Sequence, residues 1–184
     1  MKSNQLRIIG GAWRSRRISF PDHEGLRPST DRVRETLFNW LGQDLGGRRC
    51  LDLFAGSGAL GFEALSRGAA SVTMVEKNRR VCEALRRNAN LLEAKNLQVH
   101  CRDALEFATA AAADGEQGYD VVFLDPPFSS NLLERVLPLV APLLLPGACV
   151  YIESAERFAA EGGWRILKQA RAGQAHYTLV TYGD

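Results

Sequence analysis

The stretch LDLFAGSGALG at residues 51–61 decides the fold of this chain of 184 residues. It begins as a short apolar strand, passes through a turn with glycines at positions 56 and 58, and continues into an apolar helical segment. Glycine permits a tight turn and leaves backbone N–H groups beside a ligand at the start of the helix. A strand, a glycine turn and a helix in this order are typical of a site for a nucleoside-bearing cofactor.

Apolar segments of strand length alternate with segments of helical period along the rest of the chain. The pattern predicts strands at residues 50–53, 72–75, 97–100, 121–124 and 148–153, and helices at residues 59–66, 78–92, 104–112 and 131–143. Residues 164–171 and 175–182 predict a hairpin around Gly173. Strands separated by helices favour an α/β fold with a doubly wound, mostly parallel sheet, here seven-stranded with an antiparallel C-terminal hairpin.

Residues 1–28 are predicted to form a basic N-terminal hairpin extension that binds RNA, followed by a catalytic domain at residues 29–184. Two short strands, at residues 6–9 and 17–20, flank a basic loop that contains Trp13. Residues 1–49 carry ten Lys/Arg against five Asp/Glu, whereas residues 50–184 carry thirteen against sixteen. A basic arm on a near-neutral domain suits contact with a phosphate backbone. The alternatives are a solvated, partly frayed terminus and, for Trp13, packing instead of stacking on RNA.

A helix is predicted from a cap at Thr30 or Asp31 to the glycines at positions 46 and 47. Its apolar face comprises Val33, Leu37, Trp40 and Leu41. Arg32 and Arg34 fall elsewhere, where three roles are open: the cofactor, RNA or a solvated surface. We favour a functional role because the helix directly precedes the strand of the glycine turn. The residues assigned to RNA contact are Arg7, Trp13, Arg14, Arg16, Arg17, Arg27, Arg32 and Arg34.

Acidic side chains stand at or just after the ends of the first three predicted strands, where open α/β sheets bind their ligands. Asp52 is placed to accept from a methionine ammonium, Glu76 from two ribose hydroxyls, and Asp103 from an adenine amino group. Asp103 has an alternative role, because an acid after a strand is also a common helix cap. The residues assigned to the cofactor are Asp52, Phe54, Ala55, Gly56, Gly58, Glu76, Lys77, Asp103, Ala104 and Asp125.

The glycines at positions 56, 58 and 61 also match the dinucleotide fingerprint, so NAD has to be weighed against S-adenosyl-L-methionine. An acid at Asp52 would repel a diphosphate and would favour the ammonium of a methionine. Nothing else in the sequence indicates a nicotinamide site. A parallel sheet that ends in an antiparallel hairpin is unusual for dinucleotide dehydrogenases and resembles the Rossmann-like fold of class I S-adenosylmethionine-dependent methyltransferases. We therefore predict S-adenosyl-L-methionine.

The sequence Asp125-Pro126-Pro127-Phe128 follows a predicted buried strand and is assigned to catalysis. An exocyclic amine on a base is a poor nucleophile because its lone pair is delocalised into the ring. Two acceptors, the Asp125 carboxylate and the Pro126 carbonyl, would hold both N–H bonds and direct the lone pair toward the methyl group. The prolines fix the backbone, and Phe128 offers a face for stacking. Positioning would supply most of the rate without a metal or a covalent intermediate. The alternative is a stiff turn.

With these residues in view, the chain resembles the RsmD family of bacterial 16S rRNA (guanine(966)-N2)-methyltransferases over essentially its whole length. The resemblance is carried by RIIGG at 7–11, RPSTDRVRETLFNWL at 27–41, residues 51–61, VEKN at 75–78 and DPPF at 125–128. It implies a guanine N2 substrate in small-subunit RNA, presented on an assembled or partly assembled ribosomal particle. Phe128 stands where the family commonly has Tyr, which keeps stacking and removes any role of a hydroxyl.

Two other functions remain open at this point. A DNA adenine-N6 methyltransferase would use the same chemistry, but the chain lacks room for a separate target-recognition domain. A non-catalytic RNA-binding factor of ribosome assembly would have no need of Asp125 and Glu76.

The composition predicts a soluble cytoplasmic protein, and nothing in it demands more than a monomer. No apolar run approaches the length of about eighteen residues that a membrane span needs, and residues 1–20 lack a signal-peptide apolar region. Cys50, Cys82, Cys101 and Cys149 lie far apart without a Cys-x-x-Cys pair. Free thiols are expected, with disulfides or a zinc site as the less favoured alternatives.

Overall fold

A computed structural model describes residues 3–22, 30–115, 118–128 and 131–183. The strands are β1 (Ser3–Arg7), β2 (Arg17–Pro21), β3 (Arg49–Asp52), β4 (Ser71–Glu76), β5 (Leu97–Cys101), β6 (Tyr119–Leu124), β7 (Leu144–Ser154), β8 (Trp164–Ala172) and β9 (Ala175–Tyr182). The helices are α1 (Asp31–Trp40), α2 (Ala59–Ser66), α3 (Arg79–Leu92), α4 (Ala104–Ala113) and α5 (Leu132–Val140), which continues into a 3-10 turn at Ala141–Leu143.

One seven-stranded sheet has the order β5-β4-β3-β6-β7-β9-β8, and β1 pairs with β2 in a separate antiparallel sheet. The strands from β5 to β7 in this order run parallel, whereas β9 and β8 are antiparallel. The predicted α/β fold with a terminal hairpin and an N-terminal hairpin is confirmed. The parallel arrangement brings the carboxyl ends of β3, β4, β5, β6 and β7 to one edge of the sheet, where the predicted site residues lie.

The two faces of the sheet carry separate apolar clusters because side chains alternate along each strand. One face packs with α1, α2 and α3, and its strand residues include Cys50, Phe123 and Tyr151. The other face packs with α4 and α5 through strand residues such as Leu51 and Val122. The central parallel strands are therefore covered on both sides, as their nearly continuous apolar sequences require.

The N-terminal hairpin belongs to the first of these clusters. Ile8 and Ile18 are buried in it, and Ser19 exchanges two hydrogen bonds with the Asn88 side chain on α3, at 3.1 and 2.8 Å. The loop after β1 lies against the end of α2, because the Ala12 N–H donates to the Ser66 carbonyl at 2.7 Å. The alternative of a frayed terminus is wrong for the described residues 3–22.

Two predicted helix ends are wrong. Helix α1 ends at Trp40, not at the glycines at 46 and 47, because Gly42 and Gln43 adopt positive φ angles of 94° and 62°. The Leu45 N–H then donates to the Arg67 carbonyl at 2.9 Å, which directs the chain toward α2. The helix predicted at 131–143 ends as α5 at Val140 and tightens into the 3-10 turn.

Candidate functional site

The glycine turn between β3 and α2 is closely packed. Gly56 and Gly58 have φ angles of 48° and 79°, in the left-handed region that L side chains rarely adopt. A Cβ atom at Gly58 would also lie 2.7 Å from side-chain atoms of Leu85 and Phe62. Glycine is therefore required at position 58 both for the backbone angle and for the approach of α3 to the turn.

Asp52 lies at the end of β3 beneath this turn and is only 2% exposed. The Gly61 N–H donates to Asp52 Oδ2 at 3.0 Å, which anchors the carboxyl group to the first turn of α2. Burial raises the pKa of Asp52 from 3.8 to about 7, and the charge of Glu76 adds to the rise, whereas the hydrogen bond from Gly61 opposes it. Asp52 thus changes its charge near neutral pH at the place predicted for a ligand ammonium.

Glu76 ends β4 on the neighbouring strand and is bound to the backbone on both sides of the site. The Gly56 N–H donates to Glu76 Oε2 at 3.1 Å, and the Asn78 N–H donates to Oε1 at 2.7 Å. The carboxylate therefore links the glycine turn to the start of α3. Each carboxylate oxygen has a second lone pair, so these bonds leave acceptor capacity for two hydroxyl groups of a ribose.

Asp103 follows β5 and caps α4, as its alternative role required. The N–H groups of Leu105 and Glu106 donate to Asp103 Oδ1 at 2.8 and 3.3 Å. Its contact with an adenine amino group remains a prediction. Of the other residues assigned to the cofactor, Ala55 and Ala104 are buried, Phe54 is half-buried and Lys77 is exposed.

The segment Asp125–Phe128 leaves the end of β6, the strand that pairs with β3. Phe123 is in register with Asp52, so Asp125 lies one strand away from the buried carboxyl group at the same edge. Asp125 is half-buried, Pro126 is buried and Pro127 is exposed. Phe128 is 49% exposed, so its ring is accessible to a flat partner. Asp52, Glu76 and Asp125 therefore lie at one edge of the sheet, and the exposed ring of Phe128 follows Asp125 three residues later in the chain.

Glu153, near the end of β7, was not predicted as a site residue from the sequence. It is 8% exposed, and the hydroxyl of the fully buried Tyr151 donates to its Oε2 at 2.9 Å. Burial first, and then the charges of Glu153 and Asp125, raise the pKa of Tyr151 well above its ordinary value. The rule that selected Asp52 and Glu76, an acid at a strand end, selects Glu153 as well, so the signal was present in the sequence.

The structure contradicts the predicted role of Arg34 on α1. Its side chain is 1% exposed, its Nη1 lies 3.3 Å from Glu63 Oε2, and its Nη2 lies 2.6 Å from Asp31 Oδ1. Glu63 is fully buried on α2 and also accepts from the N–H groups of Ile9 and Gly10 at 2.9 and 2.8 Å. The assignment of Arg34 to RNA is wrong, because its guanidinium is enclosed in this network. Glu63 was also missed, although a single acid in the apolar α2 sequence is a signal.

The other residues assigned to RNA lie at the surface of the N-terminal hairpin and α1, except Arg27, which is outside the described residues. Arg14 and Arg32 are exposed, and Trp13 is half-buried against the apolar cluster that contains Phe123 and Tyr151. Three of the arginines also bind protein groups. Arg7 pairs with Asp31 at 3.2 Å, Arg16 donates to the Leu91 carbonyl at 2.6 Å, and Arg17 donates to Gln5 Oε1 at 3.4 Å.

Neither a metal cluster nor a membrane-spanning helix is found in the part of the chain that the structure describes. No group of three or more His, Cys, Asp or Glu in residues 3–22, 30–115, 118–128 and 131–183 is arranged to hold a metal ion. All four cysteines are free thiols. Within those residues, no helix is long and apolar enough to cross a membrane.

A mostly parallel seven-stranded sheet with an antiparallel end, and with acids and a glycine turn at its carboxyl edge, defines a class I methyltransferase fold. Residues 6–181 match the family described as "Conserved hypothetical protein 95". The chain belongs to this family, and its resemblance to the RsmD methyltransferases is confirmed.

Relatives of known name cover nearly the whole chain. Ribosomal RNA small subunit methyltransferase D of Escherichia coli (strain K12) is 43% identical over 182 residues, which are 96% of this chain and 90% of that protein. The protein of the same name from Haemophilus influenzae is 40% identical over 179 residues, which are 95% of this chain and 93% of that protein.

Solved structures agree with the fold. A methyltransferase from Escherichia coli superimposes with a TM-score of 0.86 at 43% identity, covering 98% of this chain and 99% of that one. An RNA methyltransferase from Salinibacter ruber, solved with S-adenosyl-L-homocysteine, has a TM-score of 0.68 at 18% identity and covers 86% of this chain and 95% of that one. At this identity the second likeness shows the fold alone.

Proposed function

We propose that the protein transfers a methyl group from S-adenosyl-L-methionine to the exocyclic N2 amine of a guanine in 16S rRNA of the small ribosomal subunit. The observation that carries this proposal is the position of Asp125 and Pro126 at the same sheet edge as Asp52 and Glu76. Membership of a family whose relatives are named small-subunit rRNA methyltransferases supports the substrate. A ribosomal substrate also implies a cytoplasmic enzyme. We propose that the protein acts as a monomer, because a single chain supplies all residues assigned to the site.

The cofactor supplies an electrophilic methyl group on a sulfonium centre. Asp52, Glu76 and Asp103 would hold its ammonium, ribose and adenine, because Asp52 and Glu76 end β3 and β4 and Asp103 closely follows the neighbouring strand β5. Asp125 and the Pro126 carbonyl would accept the two N–H bonds of the base amine, so that its nitrogen becomes tetrahedral and directs its lone pair at the methyl carbon. Phe128 would stack on the base. Orientation of this kind needs no covalent intermediate.

The basic surface of the N-terminal extension, residues 1–28, would contact RNA phosphates beside the methyltransferase domain of residues 29–184. Its hairpin is fixed to α2 and α3 by the Glu63 and Asn88 side chains. A fixed platform presents Arg14, Arg16 and Arg17 at a constant position relative to the sheet, which supports a role in orienting the RNA.

Methyl transfer from a labelled cofactor tests the proposal. The substrates are small subunits lacking this modification, naked 16S rRNA and duplex DNA, and nucleosides are then identified by mass spectrometry. We expect N2-methylguanosine at one mapped position of the small-subunit RNA. N6-methyladenine in DNA would identify the alternative enzyme. Absence of transfer to every substrate, with RNA binding retained, would identify a non-catalytic assembly factor.

We expect the cofactor affinity to depend on pH through Asp52. The free protein keeps this carboxyl group protonated below a pKa of about 7, and an ammonium ligand favours the ionised form. Binding must therefore release the proton, so the affinity for S-adenosylhomocysteine decreases by up to about tenfold per pH unit as the pH falls from 7.0 to 5.5. Calorimetric titration measures this dependence, and Asp52→Asn should remove it. An unchanged slope in Asp52→Asn would contradict the assignment.

Glu76→Ala should weaken cofactor binding by roughly 1.5–3 kcal/mol, because a charge-assisted acceptor of the ribose is lost. Part of the loss will come from the glycine turn, since the Gly56 N–H also loses its partner. Glu76→Gln should be milder because its amide oxygen still accepts. Glu83→Ala is the matched control, an exposed acid on α3 in an ion pair of 3.5 Å with Arg79. Equal calorimetric affinities for Glu76→Ala and this control would reject the ribose assignment.

Changing Arg14, Arg16 and Arg17 together to Ala should weaken RNA binding and reduce its dependence on salt. Each lost phosphate contact should lower the log–log salt slope by about 0.7–0.9, while the cofactor affinity stays unchanged. Filter binding at several salt concentrations measures the slope. The control is a triple change of Arg79, Arg80 and Arg87, which are exposed on α3. An equal decrease of the salt slope in both triple variants would show that the hairpin arginines have no specific role in RNA binding.

A further inference from the structure

Asp125 and Glu153 directly follow residues that pair with each other across β6 and β7. Phe123 pairs with Tyr151 and Leu124 pairs with Ile152 in this parallel ladder. Asp125 directly follows the last residue of β6, and Glu153 is the next residue of β7, so the two residues continue neighbouring strands whose spacing is about 4.8 Å. Glu153 lies two residues after Tyr151 on β7, so its side chain points to the face of the sheet that carries Phe123 and Tyr151. The hydrogen bond between Tyr151 and Glu153 agrees with this orientation, and the charge of Asp125 acts on the same tyrosine.

The carboxylate of Glu153 is held in place by a hydrogen bond from Tyr151 on the same strand. Tyr151 is two residues earlier on the same face, fully buried, and donates its hydroxyl to Glu153 Oε2 at 2.9 Å. A buried carboxylate is costly unless it is hydrogen-bonded, and this donor offsets part of that cost. On the other side, Glu153 is in register with Tyr177 of β9, whose ring lies 5.5 Å from the ring of Trp40. Strand β7, which carries Glu153, therefore lies between β6, which precedes Asp125, and β9, which contributes Tyr177 to this aromatic pair.

We propose that Glu153 determines the base specificity by accepting the N1–H of the target guanine while Asp125 and Pro126 hold the N2 amine. This inference rests on the proposed function, since it names the recognition of the same substrate. Guanine presents N1–H and N2–H donors side by side on its Watson–Crick edge, and two adjacent carboxylates complement them. Adenine presents an unprotonated N1 next to its amine, whose lone pair would face the carboxylate of Glu153. Adenine would thus be excluded by repulsion as well as by a missing hydrogen bond.

The sharpest test replaces the mapped target guanine by 2-aminopurine in 16S rRNA that is ligated from synthetic and transcribed pieces and assembled into small subunits. This base keeps the N2 amine and lacks the N1–H. The wild-type protein should methylate guanine at least about tenfold faster than 2-aminopurine under single-turnover conditions. Glu153→Gln should lower the rate on guanine and narrow or reverse this preference, because the Gln amide N–H can donate to the unprotonated N1.

Glu156→Gln is the matched control, because Glu156 is an exposed acid in the loop after β7. It should leave both rates and their ratio unchanged. A merely structural role of Glu153 would lower both rates together, and an unchanged ratio in Glu153→Gln would overturn the inference. The ratio of the wild-type rates on guanine and 2-aminopurine is measured without any variant, so it does not depend on whether a variant folds. Equal wild-type rates on the two bases would also overturn the inference. If guanine N2 is methylated in either case, the proposed function stands, whereas absence of any transfer to guanine would overturn both.

Discussion

Asp125→Ala is expected to lower the single-turnover rate of methyl transfer by about 100-fold or more while the protein still folds and binds the cofactor. Asp125 follows β6 at the sheet edge and is assigned to the substrate amine. An orienting acceptor in the transition state is worth roughly 3 kcal/mol or more, which corresponds to this loss. Rapid-quench measurements at saturating labelled cofactor give the rate, and calorimetry with S-adenosylhomocysteine checks that binding persists.

Asp125→Asn distinguishes orientation from general-base catalysis. An amide oxygen can still accept one N–H bond, so the Asn variant should keep more activity than the Ala variant if Asp125 orients the amine. A base that removes the proton would make both variants nearly inactive. Rates close to the wild type in both variants would place Asp125 outside the active site.

Glu63→Ala is expected to lower the free energy of unfolding by about 3–5 kcal/mol. The change leaves the enclosed Arg34 guanidinium without its Glu63 partner at 3.3 Å and removes the acceptor of the Ile9 and Gly10 N–H groups. A buried charge that loses its partner costs more than the ion pair itself contributes. Urea denaturation followed by circular dichroism measures the loss. RNA binding should also weaken, since these bonds hold the N-terminal hairpin on α2.

The matched control for this prediction is again Glu83→Ala. Glu83 pairs with Arg79 on the surface of α3, where both side chains are solvated, so its removal should change the stability little. The free energy of unfolding of Glu63→Gln should lie between those of Glu63→Ala and Glu83→Ala, because the Gln side chain keeps one acceptor oxygen but not the charge. A Glu63→Ala variant as stable as the Glu83→Ala control would mean that the network around Arg34 contributes little to folding.

The elements of the central sheet were predictable because their signals are local. Helix α2 has the predicted bounds, and the strands that end at Asp52 and Glu76 or directly precede Asp125 lie within two residues of their predicted ends. Short apolar runs, the glycine turn and the cap at Asn78 are properties of a few neighbouring residues. Because the strands run parallel, their carboxyl ends lie at the same edge of the sheet, so the acids that end or follow three of them lie at that edge.

The sequence by itself therefore determined the class of fold, the glycine turn and the edge at which the acids lie. The tertiary structure alone decided which charged side chains leave the surface, because their partners are distant in sequence. The helical period places Arg34, unlike Arg32, on the same face of α1 as Leu37 and Phe38, but it does not show that a guanidinium can be buried there. That burial depends on Glu63, which lies opposite Arg34 and 29 residues further along the chain. Likewise, only the β6–β7 register brings the end of β7, which carries Glu153, next to the end of β6, which precedes Asp125, since pairing between strands depends on long-range packing and not on neighbouring residues.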